Sequence, residues 1–254
     1  MATKESATVN VEENQDYWEQ IPQPAEMSFF DHLEELRTRL FIGLISVLVS
    51  AIACFAFVRP IVGWLEIPAQ GVKFLQLAPG EFFFVSFQVA GYTGILLASP
   101  ILIYQVVQFV VPGLTRKERK LLAPVVFGSS ILFFAGLAFA YYLLIPAALN
   151  FFISYGGDVV EQSWSIDNYF KFVLLLMFCT GITFQIPVIQ LLLGQLNLVS
   201  SQQMLSGWRI VILGAVIIGA IVTPSTDPLT QSLLGGAVLA LYFGGIAAVK
   251  LIGK

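Results

Sequence analysis

Runs of apolar residues long enough to cross a lipid bilayer dominate this sequence of 254 residues. The first run extends over 40–58 without a charged side chain. A helix needs about 20 such residues to cross a hydrocarbon core roughly 30 Å thick. Only 11% of the residues are charged, which is less than half of the share in soluble domains. The runs do not alternate as the strands of a membrane barrel do, so we predict an all-α integral membrane protein.

Six apolar segments predict six transmembrane helices. In chain order they cover 40–58, 82–111, 121–144, 169–193, 210–222 and 229–249. The fifth rises only about 20 Å as a helix, so it must thin the bilayer or be shielded by neighbouring helices. Two prolines in the link after it predict a tight turn and an αα-hairpin. The alternative is a re-entrant pair, since re-entrant segments are typically short.

The charges between these segments predict the orientation of the chain. Ten Lys and Arg residues fall on the side of the termini, and Arg59, Lys73 and Lys171 fall on the other. The positive-inside rule then places both termini in the cytoplasm or its equivalent. Residues 1–27 are acidic and predict a disordered cytoplasmic tail, followed by the membrane domain over 28–254. The tail lacks the features of a secretory signal, so we expect the first span to be retained.

The sequence contains no motif that indicates an enzyme. Phosphate-binding loops, zinc-binding HExxH motifs and G-x-S-x-G elbows are all absent. Cys54 and Cys179 lie in apolar runs, which favours two core residues over a disulfide or metal ligands. We therefore expect no catalysis, no cofactor and no metal ion. The rival function is a secondary transporter of a small solute, but no charged residue near the middle of a span supports it.

A charged segment over 28–40 leads directly into the first span. Six of its residues are ionisable. Its apolar residues have helical spacing and predict an amphipathic helix that enters the membrane. Glu35 and Arg39 are four residues apart, in the favourable order for an ion pair. One interpretation is an ordinary interfacial helix with solvated charges, and the other is that Glu35 is a fixed carboxylate that receives a cation.

Three further polar positions stand out. Four cations surround Glu118 in the loop 112–120, so this carboxylate is expected to be ionised and to form a second acceptor near Glu35. The cations alone are typical of a cytoplasmic loop. Gln185 lies deep in an apolar run, where it either satisfies the carbonyl group freed by Pro187 or lines a polar concavity or a partner-helix site. Asp227 is either a turn residue or a contact on the far side.

Several ordered motifs resemble the TatC family, the multi-spanning receptor subunits of the twin-arginine protein translocase. The resemblance covers about 27–250. The matching stretches are FDHLEELRTRL at 30–40, SPILIYQ at 99–105, FVVPGL at 109–114, RKER at 116–119, AFAYY at 138–142 with Pro146, FQIP at 184–187 and TPSTDP at 223–228.

The resemblance implies a cup-shaped bundle of six helices whose fifth and sixth are short. It also implies a receptor for twin-arginine signal peptides in a translocase that exports folded proteins, driven by the proton motive force. The implied partners are single-span TatA/TatB-type subunits, further copies of the chain and the lipid bilayer, with no role for nucleic acid. The membrane would be a bacterial plasma membrane or a thylakoid membrane.

The resemblance also assigns roles to individual residues. The implied signal-peptide site comprises Glu35, Glu118, Arg37, Arg39 and His32; the supporting loop residues are Pro112, Arg116 and Arg119; and the intramembrane or far-side positions are Gln185, Pro187 and Asp227. Many bacterial members carry glutamate where this chain has Gln185. The amide cannot ionise, and it resembles the cyanobacterial and chloroplast branch of the family.

Overall fold

The computed structural model describes residues 29–69, 72–110, 122–156, 163–222 and 227–253. These residues are mostly helical. The helices are α1 Phe29–Ala56, α2 Val58–Glu66, α3 Glu81–Val110, α4 Leu122–Phe139, α5 Ile145–Gly156, α6 Ile166–Thr183, α7 Ile186–Gln195, α8 Ser201–Ser206, α9 Trp208–Val222 and α10 Pro228–Leu251. A 3₁₀ turn, Ile67–Ala69, follows α2, and a π-helical segment, Ala140–Leu144, joins α4 to α5. Strands β1 Lys73–Leu75 and β2 Ser163–Ser165 pair in parallel.

Five helical stretches in the described part of the chain are long and apolar enough to cross a membrane. They are Phe30–Ala56, Glu81–Val110, Ala123–Tyr155, Ile166–Gln195 and Pro228–Leu251. The third extends past the predicted end at 144, because Pro146 lies in the first turn of α5, where a missing N–H is tolerated. The predicted fifth span corresponds to α9, which has 15 residues. A span formed by α9, and with it the total of six spans, therefore stays a prediction. The last helix, α10, has 24 residues and is long enough to cross a membrane, so the expectation that it is short is wrong.

The chain divides into two compact units, Met1–Thr38 and Arg39–Lys254. The described part of the first unit is the beginning of α1. Two hydrophobic cores lie in the second unit. The first core is formed mainly by α2 to α6 and contains fully buried side chains such as Val85, Leu144 and Phe170. Helix α6 is buried on several of its faces, which is typical of the central helix of a bundle.

Two tyrosines stabilise the end of α2. The last carbonyl groups of a helix lack partners within it. The hydroxyl of Tyr141 donates to the carbonyl of Trp64 at 2.8 Å, and that of Tyr169 donates to the carbonyl of Leu65 at 2.7 Å. The rings of Trp64 and Tyr141 also stack, with centroids 4.1 Å apart. These contacts fix α2 against the first core.

Glu81, the first residue of α3, ties together the two connections that precede α3 and α6. Its carboxylate accepts hydrogen bonds from the backbone N–H of Ala78 at 3.1 Å and from the hydroxyl of Ser165 at 2.9 Å. The carboxylate of Asp167 accepts from Gln88 at 3.1 Å. These bonds hold the β1–β2 pair next to the beginnings of the two helices.

The second core is smaller and is formed by α7, α8 and α10. Its buried members are Met204, Tyr242, Ile246 and Val249. The hydroxyl of Tyr242 donates to the carbonyl of Met204 at 2.6 Å, which fixes α8 against α10. Helix α9 contacts α10 through the side-chain amide of Gln231, which donates to a carbonyl of α9 at 3.3 Å. The contact agrees with the predicted hairpin.

Candidate functional site

The charged beginning of α1 is helical, as the sequence predicts. Within it, Nδ1 of His32 lies 3.8 Å from Oε2 of Glu35, and Arg37 lies 3.8 Å from Glu34. The side chains of Glu34 and Arg37 are 73% and 70% exposed, whereas that of Glu35 is only 16% exposed. An ion pair as exposed as that of Glu34 contributes little to stability. Glu35 is therefore the more sheltered carboxylate of this segment.

Arg39 begins the second unit and reaches helix α3. Its guanidinium donates to Oε1 of Gln105 at 3.4 Å. The sequence placed Arg39 beside Glu35 by helical spacing and did not predict Gln105, which lies 66 positions further along the chain. The signal in the sequence was weak, because Gln105 is one of three glutamines in this mostly apolar span. The contact sets the direction of the Arg39 side chain relative to α3.

Other members of the predicted signal-peptide site lie outside the described residues. These are Pro112, Arg116, Glu118 and Arg119, which fall between α3 and α4. The predicted proximity of Glu35 and Glu118 therefore stays a prediction, and so does the disorder of the acidic tail over 1–27.

Gln185 lies at a break between two helices. Helix α6 ends at Thr183, α7 begins at Ile186, and Pro187 is in the first turn of α7. The amide nitrogen of Gln185 donates to the backbone carbonyl of Ser129 on α4 at 3.2 Å, and the hydroxyl of Ser129 donates to the amide oxygen of Gln185. The expectation that Gln185 satisfies the carbonyl of Thr183 is thus replaced by a pair of bonds to another helix.

Two glycines allow α4 and α6 to approach closely around this break. A Cβ atom added to Gly136 of α4 would lie 2.8 Å from the ring of Phe184. One added to Gly181 of α6 would lie 2.8 Å from the ring of Phe133. Small residues commonly permit such approaches between membrane helices. The ring of Phe184, next to Gln185, is thereby held against α4.

Asp227 caps the last long helix. It precedes α10, and its carboxylate accepts the backbone N–H of Thr230 at 2.7 Å. Its side chain is almost completely buried. An aspartate in this position satisfies one of the free N–H groups of the first helical turn. The geometry supports the interpretation of Asp227 as a structural residue of the turn.

An apolar cavity of about 640 Å³ opens beside the first core. Residues from α1, α2, α3 and α6 line it, together with residues around the π-helical segment, and they include Cys54, Trp64, Leu97, Tyr142 and Met177. The sequence did not predict this cavity, because it depends on how α2 returns against α3. Its lining suits an apolar ligand segment rather than a polar one.

Comparisons with known proteins agree with one another. The profile of the family described as "Sec-independent protein translocase protein (TatC)" matches residues 31–236. The "Sec-independent protein translocase protein TatC" of Synechocystis sp. is 67% identical over 254 residues, which is the full length of both chains. The chloroplastic TATC protein of Arabidopsis thaliana is 58% identical over 93% of this chain and 70% of its own length.

A solved structure is also similar to this chain. It is a crystal structure described as "Twin Arginine Translocase Receptor- TatC", with a TM-score of 0.78 and 32% sequence identity. The match covers 88% of this chain and 100% of that one.

Proposed function

The chain belongs to the TatC family of Sec-independent protein translocase proteins, and from this membership we propose that Glu35 receives an arginine of a twin-arginine signal peptide. The family consists of non-enzymatic subunits of the twin-arginine translocase. The chain is therefore a membrane component of protein transport. The membership gives no support to the alternative of a solute transporter.

The observation that carries the proposal is the partial shelter of Glu35 at the beginning of a membrane helix. A guanidinium group can form two parallel hydrogen bonds with one carboxylate, which an ammonium group cannot reproduce. A carboxylate that is 16% exposed offers such a bond with less competition from water than the neighbouring Glu34. Discrimination of arginine from lysine would follow from this geometry.

We propose that Glu118 receives the second arginine and that His32, Arg37 and Arg39 keep the segment in its working arrangement. Two consecutive arginines need two acceptors, since each guanidinium group occupies both oxygens of a carboxylate when the contact is bidentate. Pro112, Arg116 and Arg119 would support the loop that presents Glu118.

The apolar part of the signal peptide would then contact the membrane-embedded surface of the chain. The cavity of about 640 Å³ beside the first core supports this step, since its lining is apolar. A helix is about 10–12 Å wide with its side chains, so only a few side chains of a helical segment would fit into the cavity. The cavity would therefore receive part of the segment, and lipid or other subunits would cover the rest.

The remaining features of the translocase are proposed on the same basis. They are a cup-shaped bundle of six spans with both termini on the cytoplasmic or stromal side, partnership with TatA/TatB-type subunits and with further copies of the chain, and transport of folded proteins driven by the proton motive force. A thylakoid or cyanobacterial plasma membrane agrees with the origin of the relatives.

Site-specific photo-crosslinking tests the proposed site. A photoreactive residue at position 38, one turn from Glu35, or at position 117, next to Glu118, in the full chain in lipid vesicles should form a cross-link with a twin-arginine signal peptide. The twin-lysine peptide should give a much weaker product at both positions. A photoreactive residue at exposed position 127 on α4 is the control. Equal yields with the two peptides, or equal yields at positions 38 and 127, would contradict the proposal.

A further inference from the structure

We propose that Ser129 is a positioning residue for Gln185, and that this pair fixes the angle between α6 and α7 and so the placement of the second core. The proposal is independent of the signal-peptide site, since it concerns residues of α4, α6 and α7. It assigns a role to a serine that the sequence did not single out.

The two side chains are complementary in hydrogen bonding. A primary amide offers a donor and an acceptor side by side. Ser129 presents the matching pair, because its backbone carbonyl accepts from the amide nitrogen at 3.2 Å and its hydroxyl donates to the amide oxygen. Ser129 is only 1% exposed, so water cannot readily replace it. A buried polar group left without its partner costs about 1–3 kcal/mol.

The bonds act at the junction of α6 and α7, where one backbone hydrogen bond of a continuous helix is missing. Pro187 has no N–H to give to the carbonyl four residues earlier, and the chain passes from α6 to α7 through Phe184 and Gln185. The ring of Phe184 is held against Gly136 of α4. Hydrogen bonds from Gln185 to the same helix add a directional restraint to this packing.

The break separates the two cores. Helix α6 supplies central residues of the first core, whereas α7 packs against α10 in the second. Gly194 of α7 contacts the side chain of Val249, and Gly245 of α10 contacts Gln190. Because these contacts are close, a change in the direction of α7 must move α10 with it. The Ser129–Gln185 pair therefore fixes how the second core is placed relative to the first.

The identity of the side chain at position 185 follows from this role. An ionised carboxylate has no hydrogen to donate and would place a negative charge next to the carbonyl oxygen of Ser129. A protonated carboxyl group has both a donor and an acceptor. A glutamate at this position should therefore form both hydrogen bonds to Ser129 when it is protonated. When it is ionised, it should lose the bond to the Ser129 carbonyl. The native amide should keep both hydrogen bonds to Ser129 at every pH.

Distances between spin labels test the proposal in the full chain in lipid nanodiscs. With Cys54 and Cys179 replaced by alanine, one label is placed at exposed position 127 on α4 and the other at exposed position 251 on α10. A second pair at exposed positions 205 on α8 and 251 on α10 joins two helices of the second core and reports on their arrangement. The variants are Ser129→Ala, Gln185→Glu and the control Ser130→Ala, whose hydroxyl donates to its own helix at Val126.

We expect Ser129→Ala to broaden the 127–251 distribution, while the 205–251 distribution stays as in the native sequence. Gln185→Glu should broaden the 127–251 distribution at about pH 9 and restore it at about pH 5, since protonation of a carboxyl group returns the missing donor. Ser130→Ala and the native sequence should not change with pH. A Gln185→Glu variant with the same distribution at both pH values, or a Ser129→Ala variant like the native chain, would overturn the proposal.

Discussion

The two cores of the second unit are held together by different means. The first core contains large side chains from α2 to α6 together with Leu234 of α10, and tyrosine hydroxyls donate to carbonyl groups at the end of α2. Among the described residues, the second core contains four buried hydrophobic side chains, and α7 and α10 approach closely at Gly194 and Gly245. Because the hydrophobic effect contributes little to the association of helices within lipid, close packing and hydrogen bonds hold the helices together. The first core therefore combines many large buried side chains with close approach at Gly136 and Gly181, whereas the second core has few large buried side chains and relies mainly on close approach at its glycines.

This difference predicts different sensitivities. Removing atoms should damage the first core more than the second, because a buried cavity loses contacts that relaxation only partly restores. The second should be damaged mainly by adding atoms, because its helices already approach at their glycines.

Removal of Phe170 should have the largest effect. Its side chain is completely buried in α6 at the centre of the first core. Phe170→Ala should lower the free energy of unfolding by about 3–5 kcal/mol, as measured by denaturant titration in mixed micelles. Phe127→Ala, at a position 70% exposed, is the control and should have little effect. Similar losses for the two variants would mean that burial in the first core does not determine its stability.

Adding one methyl group to Gly245 should damage the second core. Its Cβ atom would lie 2.8 Å from Cδ of Gln190 and 3.0 Å from Cα of Pro187. Gly245→Ala should therefore destabilise the protein by about 1–3 kcal/mol, with faster hydrogen exchange in α7 and α10 than in α6.

The adjacent glycine provides a matched control for this prediction. A Cβ atom added to Gly244 would meet no atom within 4 Å. Gly244→Ala should be neutral or stabilising by up to about 1 kcal/mol, because alanine is the better helix former. If both glycines tolerate alanine equally, close approach at Gly245 is not what joins α7 to α10.

The tyrosine contacts of the first core should have a smaller effect. Tyr141→Phe removes the hydrogen bond to the carbonyl of Trp64 but keeps the stacked ring. We expect a loss of about 0.5–1.5 kcal/mol in the free energy of unfolding. The neighbouring Tyr142 is 67% exposed, so Tyr142→Phe should leave stability unchanged. Equal effects would show that the hydroxyl of Tyr141 does not stabilise α2.

Replacement of Glu66, at the end of α2, should change the free energy of unfolding least, and the size of this change should depend on pH. Partial burial raises the pKa of the Glu66 carboxyl group above its ordinary value. The folded chain then binds this proton more tightly than the unfolded chain, so stability falls as pH rises from the ordinary pKa to the raised one. Glu66→Gln should remove this part of the pH dependence and slightly stabilise the protein at neutral pH. An unchanged pH profile of unfolding would contradict this expectation.

The sequence predicts those features that depend on neighbouring residues. The apolar runs predict α3 and α10 closely, and the spacing of apolar residues in 28–40 predicts the helical beginning of α1. Pro187 indicates a freed carbonyl group near the end of α6. Each of these signals acts within a few turns of one helix.

Contacts between distant segments could not be predicted in the same way. The bonds of Gln185 to Ser129 join positions 56 residues apart, and the hydroxyl of Tyr169 reaches the carbonyl of Leu65 across 104 residues. Such pairs depend on the packing of α2, α4 and α6, and several partners were chemically possible for each side chain. The sequence predicts the extent of α9 closely, since the expected segment 210–222 falls within this helix of 15 residues. It does not decide whether α9 crosses the membrane, because this length fits both a short span and a shielded hairpin.

Binding of a twin-arginine signal peptide to the full chain in nanodiscs tests the central functional claim most directly. Glu35→Gln removes the charge of the sheltered carboxylate, and Glu34→Gln removes the same charge from its exposed neighbour. We predict that Glu35→Gln weakens binding of the twin-arginine peptide strongly and reduces its preference over the twin-lysine peptide, whereas Glu34→Gln changes neither. Equal affinities for the two variants, or a native preference for arginine in Glu35→Gln, would contradict the account.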